Sequence, residues 1–387
     1  MSTTIPEPET PLLTPPDAAE TLIIARGVAS ASAPDDGLTP LQAALIEAIS
    51  DAMTGHQVDA SSLAPISAEE YAAALARRNR DFRTRMVHFM LLGALVLRPL
   101  PGAVVERVRS YAGALGVDDD MLSVAQRFSS GALGLAALDF QRNGYTSTWH
   151  PSDAGALHTS RELESAWESA VADPALAAQW SALEDLPPGT LGRRVWELYR
   201  ARGFEFPGRP GSAPPLLAQH DWVHVLADYG TTVENELEAF AFIARANDDP
   251  HGFSLLAMVI SLFETGYLRA DAGLFEYDTG HLSTDPRVVV RLADAMRRGA
   301  LCSDERRDDD SVDFLRLDWF ELAPLDLAEV RRMLHVVAKS DAAVRAGSIG
   351  PWEPGGMSPF QHAAGMAMAE RETRVYDSHG ACTQGDP

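Results

Sequence analysis

Lysine is almost missing: Lys339 stands alone among the 32 basic residues of a 387-residue chain, and arginine supplies the rest. With abundant alanine, that bias points to a GC-rich bacterial genome and to no mechanism. Positive charge is scarce altogether. Against 55 acidic residues it leaves a formal net charge of -23, and no segment concentrates the basic face that nucleic-acid binding needs. Cysteine is nearly absent too. Cys302 and Cys382 lie far apart without CxxC or CxxH spacing, which argues against a disulfide framework or a cysteine-held zinc. Long apolar runs are lacking: Met90 to Leu97 and Phe253 to Phe263 fall short of the roughly 20 residues that span a bilayer. The stretch Met1 to Pro16 carries carboxylates and prolines where a signal or transit peptide needs basic and apolar residues. The expected location is the cytoplasm, with any membrane contact peripheral to the inner face.

What is present is helical. Apolar residues recur at helical spacing through most of the chain and almost nowhere with period two, which predicts an all-α fold. Residues 1–38, rich in Pro, Ser, Thr and Ala, read as a disordered lead-in. Residues 40–150 read as a small all-helical domain, and residues 160–340 as a second helical domain with a metal site between helices. Residues 346–387 read as a mostly flexible tail with one short helix near Phe360 to Arg371. The acidic run from Cys302 to Asp313 reads as a solvated loop.

Chemistry concentrates in the segment from Leu216 to Tyr229. It is apolar nearly all round except for His220, Asp221, His224 and Asp228, so its helix should be buried. Buried polar groups need partners, and two histidines at i and i+4 can share one metal ion. Gly230 suits the end of that helix, and Thr231 with Glu234 reads as a capping box opening the next. On the second helix Glu236 falls inside the apolar stripe of Val233, Leu237, Phe240, Ile243 and Ala244. Glu234, Glu238 and Arg245 fall on the outer face. A tight turn packs the two helices antiparallel and brings Glu236 toward the histidines. The expected site is therefore His220, His224 and Glu236 around a divalent metal, with Asp221 as fourth ligand or as base. A metal-free reading, in which hydrogen bonds alone satisfy both histidines, stays open. His88, His251, His335 and His362 are isolated, Glu264 is a carboxylate in an apolar run, and Gly189 with Gly192 forms no phosphate loop.

These residues resemble a known family. His220-Asp221-x-x-His224, eleven residues and then Glu236 is similar to the HDxxH-x11-E signature of the Coq-four family of ubiquinone (coenzyme Q) biosynthesis proteins. Upstream, Leu186-Pro187-Pro188-Gly189-Thr190-Leu191-Gly192-Arg193 resembles the same family's LPxGTLGR segment. Ala295 to Gly299, Trp319 and Leu327 to Leu334 resemble its C-terminal helices, so the likeness covers about 170–340. The acidic insert at Ser303 to Asp313 and both ends depart from it. Residues 66–140 resemble, more faintly, the helical bundles of the tellurite-resistance TerB type. The resemblance implies an all-helical fold holding a divalent metal (Zn, Fe, Mn or Mg) beside an apolar channel for a prenylated ring or chain. It further implies a biosynthetic role in oxidative decarboxylation and hydroxylation of an aromatic acid, with Asp221 and Glu236 as its catalytic residues. The alternative it implies is a noncatalytic lipid-binding scaffold that gathers other biosynthetic enzymes. A homodimer is among the expectations.

Overall fold

Hydroxyl, carboxylate and amide side chains punctuate the sequence ahead of its apolar helical runs, and in the structure they cap them. Asp17, Thr39, Ser67, Asn79, Asp173, Thr190, Asp285, Asp326, Ser340 and Ser358 each accept a backbone N–H of the first turn that follows. Thr39 with Gln42, Ser67 with Glu70 and Ser358 with Gln361 complete reciprocal capping boxes. The computed structural model describes residues 15–117, 121–130, 172–210, 212–213, 218–246, 250–266, 279–306 and 312–377. Among these the fold is all-α, with 17 helices and no strand.

The N-terminal set comprises α1 (Ala18–Ser32), α2 (Pro40–Thr54), α3 (Ala68–Ala74), α4 (Arg80–Leu95), α5 (Gly102–Leu115) and α6 (Met121–Ser129). The C-terminal set begins with α7 (Pro174–Ser181), α8 (Leu191–Arg202), α9 (Gln219–Ala227), α10 (Val233–Ala246) and α11 (Pro250–Phe263). It continues with α12 (His281–Thr284), α13 (Pro286–Ala300), α14 (Trp319–Leu322), α15 (Leu327–Met333), α16 (Asp341–Arg345) and α17 (Pro359–Arg371). The two sets meet where α2 lies against α13, and one buried apolar cluster runs through both, from Ile24 to Leu334. Helix α13 also packs along α10, where the Arg291–Glu238 ion pair at 2.7 Å joins them beneath the surface.

The ends of the chain differ from the sequence expectation. Within residues 1–38, expected to be disordered, Ala18–Ser32 is helix α1, packed against α2, α3, α4 and α5. Its alanines and serines carry too little apolar contrast to announce a buried face, and the flanking prolines mask it. What buries it is close approach: a Cβ on Gly27 would stand 2.1 Å from the Tyr71 ring. Residues 1–14 lie outside the described residues.

Residues 346–377, expected to be mostly tail, are likewise tied down. The segment after α16 wraps onto the turn between α9 and α10, and α17 packs on α8. In the acidic run, Cys302 and Asp304 are buried and Ser303 N–H bonds to the Leu334 carbonyl, so 302–304 is packed where a solvated loop was expected, while Glu305 and Arg306 are exposed. Residues 307–311 of that run, residues 131–171 between the two expected domains, and Cys382 lie outside the described residues.

Candidate metal centre

Helix α9 is buried on every side. Trp222, Val223, Val225, Leu226 and Ala227 have no exposed surface, as the apolar sequence required. The helix stops at Asp228, which adopts the left-handed conformation (φ 63°) that a short polar side chain tolerates. Asp228, not Gly230, therefore ends the helix. Its carboxylate turns outward to Lys339 at 3.4 Å. Gly230 serves close approach instead, because a Cβ there would lie 2.6 Å from Asn235 Oδ1 and 2.7 Å from the Gly356 carbonyl oxygen. The turn folds α10 back along α9.

That return brings the expected residues together. Glu236 Oε2 stands 3.2 Å from His220 Nε2 and 3.3 Å from His224 Nε2, and His220 Nε2 is 3.5 Å from Asp221 Oδ1. Donor atoms around a tetrahedral ion with bonds of about 2.1 Å are spaced by about 3.4 Å, so these separations suit a shared cation. His220, Asp221 and His224 offer ligand atoms that all lie within 4.8 Å of one another and form a buried group that could hold a metal ion. His224 is wholly enclosed, and His220, Asp221 and Glu236 are each no more than 7% exposed.

Partners behind the donors set their orientation. His224 Nδ1 donates to the Gly230 carbonyl at 2.7 Å. A carbonyl only accepts, so Nδ1 carries a proton and Nε2 is the nitrogen that faces the site. Tyr199 on α8 donates its hydroxyl to Asp221 Oδ2 at 2.5 Å. Phe240 stacks on the His220 ring with centroids 4.7 Å apart.

Burial opposes the charge on Glu236, but His224 and His220 outweigh it and hold the carboxyl well below the usual carboxylate range. Burial pushes Asp221 up, partly offset by the two histidines and the Tyr199 hydroxyl, with Glu236 adding to the rise. The decisive observation concerns what is left over. His224 Nε2 and Glu236 Oε2 are both buried, and neither makes a hydrogen bond of good geometry, although they stand within ion-pair distance of each other and Glu236 of His220. Two such atoms 3.3 Å apart are the donor pair a cation would satisfy.

Other sequence readings fared differently. Glu238, expected on the outer face, is fully buried between Asn235 and Arg291, because α13 covers that side of α10. Glu234 bonds His281 Nδ1 at 2.8 Å and accepts from Thr232, instead of capping the helix with Thr231. Glu264 is buried and accepts the backbone N–H groups of Leu282 and Ser283, a structural duty. His88 stacks on Phe253, His335 pairs with Glu305, and His362 meets the Tyr376 ring. The His251 side chain lies outside the described residues.

Sequence reasoning missed Tyr199 and Arg202, both on α8. The motif from Leu186 to Arg193 is what places that helix: Thr190 caps it, while Leu191 and Gly192 N–H bond to the Leu325 and Ala323 carbonyls. Their three-residue spacing on one helix face was the available signal. No family model, curated protein or solved structure matches the chain.

Proposed function

We propose that His220, His224 and Glu236 hold a divalent cation, with Asp221 as fourth ligand or as base, and that the protein is an enzyme modifying an apolar or prenylated aromatic acid. The buried pair His224 Nε2 and Glu236 Oε2, without a hydrogen bond of good geometry, carries this reading. The likeness of the HDxxH segment, its spacing to Glu236 and the Leu186 to Arg193 segment to the Coq-four ubiquinone-biosynthesis proteins supplies the reaction class: oxidative decarboxylation with hydroxylation of the ring.

A cation bound here supplies Lewis acidity or, as iron, oxidative chemistry. The chain's own residues supply the rest. The Gly230 carbonyl orients the His224 ring. Tyr199 holds one oxygen of Asp221 and leaves the other facing His220, where a carboxyl raised above its ordinary value can exchange a proton with a bound acid. Phe240 gives the site an apolar aromatic wall, and the enclosure excludes bulk water from the charged groups. The same reading gives the protein biosynthetic-enzyme partners and a peripheral contact with the membrane that holds prenylated substrates.

The test is metal analysis of the purified protein beside a His220→Ala/His224→Ala variant, each then incubated with prenylated 4-hydroxybenzoate in air. Near-stoichiometric metal in the parent alone, with carbon dioxide released by the parent alone, is the expected result. Metal-free parent protein would overturn the site, and a metal-loaded parent that releases no carbon dioxide would overturn the reaction.

A further inference from the structure

The Gly230–Thr231 turn is held almost entirely by residues far along the chain. Gly230 N–H donates to the Ile349 carbonyl at 3.0 Å, and Thr231 N–H to the Gly356 carbonyl at 2.7 Å. Gln361 Nε2 donates to the Thr231 carbonyl at 2.9 Å, and the Thr231 hydroxyl donates to Gln361 Oε1 at 2.9 Å. Arg202 threads behind both. Its Nε donates to Thr231 Oγ1 at 2.6 Å, and its NH2 group donates to the carbonyls of Pro351 at 2.7 Å and Gly356 at 3.1 Å. Arg202 is fully buried and all three of these acceptors are uncharged, so it ties the Thr231 hydroxyl of the turn to two carbonyls of the strap. The Gly230 carbonyl at the centre of this lattice is the group that orients His224.

We infer that the strap from Ile349 to Gln361, with Arg202 and Thr231, positions the metal ligand His224, so that metal capture and strap docking are coupled. The inference rests on the metal reading above. Its physical basis is that a ligating imidazole needs its second nitrogen fixed, and groups that fix it set metal affinity although they never touch the ion. Arg202, Thr231 and Gln361 are positioning residues in this sense. Coupling is reciprocal: a strap that favours binding must itself be held more firmly once the ion is bound.

The experiment uses the full chain, stripped with chelator and titrated with Co2+, whose visible spectrum reports ligand geometry. Thr231→Val keeps the shape of the side chain but removes the hydroxyl that links Arg202 to Gln361; Thr231→Ser restores it. In the folded proteins we expect Thr231→Val to weaken Co2+ binding about 10- to 100-fold and shift the spectrum, and Thr231→Ser to return both to parent values. Should Thr231→Val fail to fold, hydrogen exchange of the parent decides. Co2+ should slow exchange at Gly230, Thr231 and Gly356 at least tenfold. A folded Thr231→Val protein with parent affinity and spectrum, or exchange at those amides that ignores Co2+, overturns the inference while leaving the metal site standing. A parent that binds no Co2+ overturns the metal reading, and the inference with it.

Discussion

Tyr199 donates its hydroxyl to Asp221 Oδ2 across 2.5 Å, and neither residue is more than 7% exposed. A hydrogen bond to a carboxylate in such surroundings is among the stronger kinds. Tyr199→Phe deletes the donor and keeps the ring packed against Trp180 and Phe206. We expect a loss of about 1–3 kcal/mol in unfolding free energy by urea titration, and about tenfold weaker Co2+ binding as Asp221 loses its fixed orientation. Parent affinity in the variant would show that Asp221 needs no such tether.

Metal should act as a stabilising ligand. Free ion at about 100 times its Kd should add about 2.7 kcal/mol to unfolding free energy, visible as a rise in Tm that chelator reverses. His224→Ala should abolish that rise, since its Nε2 faces Glu236. A rise that survives the substitution would place the bound metal elsewhere.

Glu238 and Arg291 test how a buried charge pair is tolerated. Their ion pair is 2.7 Å long with side-chain exposures of 1% and 9%. Arg291→Met strands the carboxylate and should cost about 3–5 kcal/mol by urea titration. Adding Glu238→Gln should recover much of that loss, and no recovery would mean that the packing between α10 and α13 matters more than the charge.

Acid should loosen the opening of α10. His281 donates to Glu234 and, with Thr232, holds its carboxyl down to about 2 from an ordinary 4.5. A depressed folded value means stability that is present above the unfolded pKa and lost as pH falls from about 4.5 toward 2. His281→Asn should therefore flatten the fall in unfolding free energy between pH 5 and pH 3 relative to the parent. An unchanged slope would show that other carboxylates account for the acid response.

Much of the site could be read from one segment because its evidence was local. A helix too apolar to be exposed, carrying His220, Asp221 and His224 on one side, has few ways to satisfy them, and the tight turn brings Glu236 back. The readings that failed were those settled by distant neighbours. Glu238 looks solvent-facing until α13 covers it. Asp228 outcompetes Gly230 for the left-handed position because Lys339, over a hundred residues on, receives its carboxylate. Tyr199 and Arg202 sit in an arginine-rich helix whose polar face resembles any surface stripe, and only the Leu186–Arg193 docking turns it inward. The Gly- and Pro-rich stretch after residue 346 gave no periodic signal, because it is held by backbone hydrogen bonds and not by an apolar face.

Helix α1 bears on α2, α3, α4 and α5, and against α3 its Gly27 lets the Tyr71 ring lie flush with its backbone. Shortening the protein at residue 38, where the compositional bias ends, would strip the cover from Tyr71, which does not now meet solvent, and from the faces of α2, α4 and α5 that pack on α1. Such a fragment would present an apolar trough to water and invite aggregation, so a soluble truncation should begin ahead of Asp17.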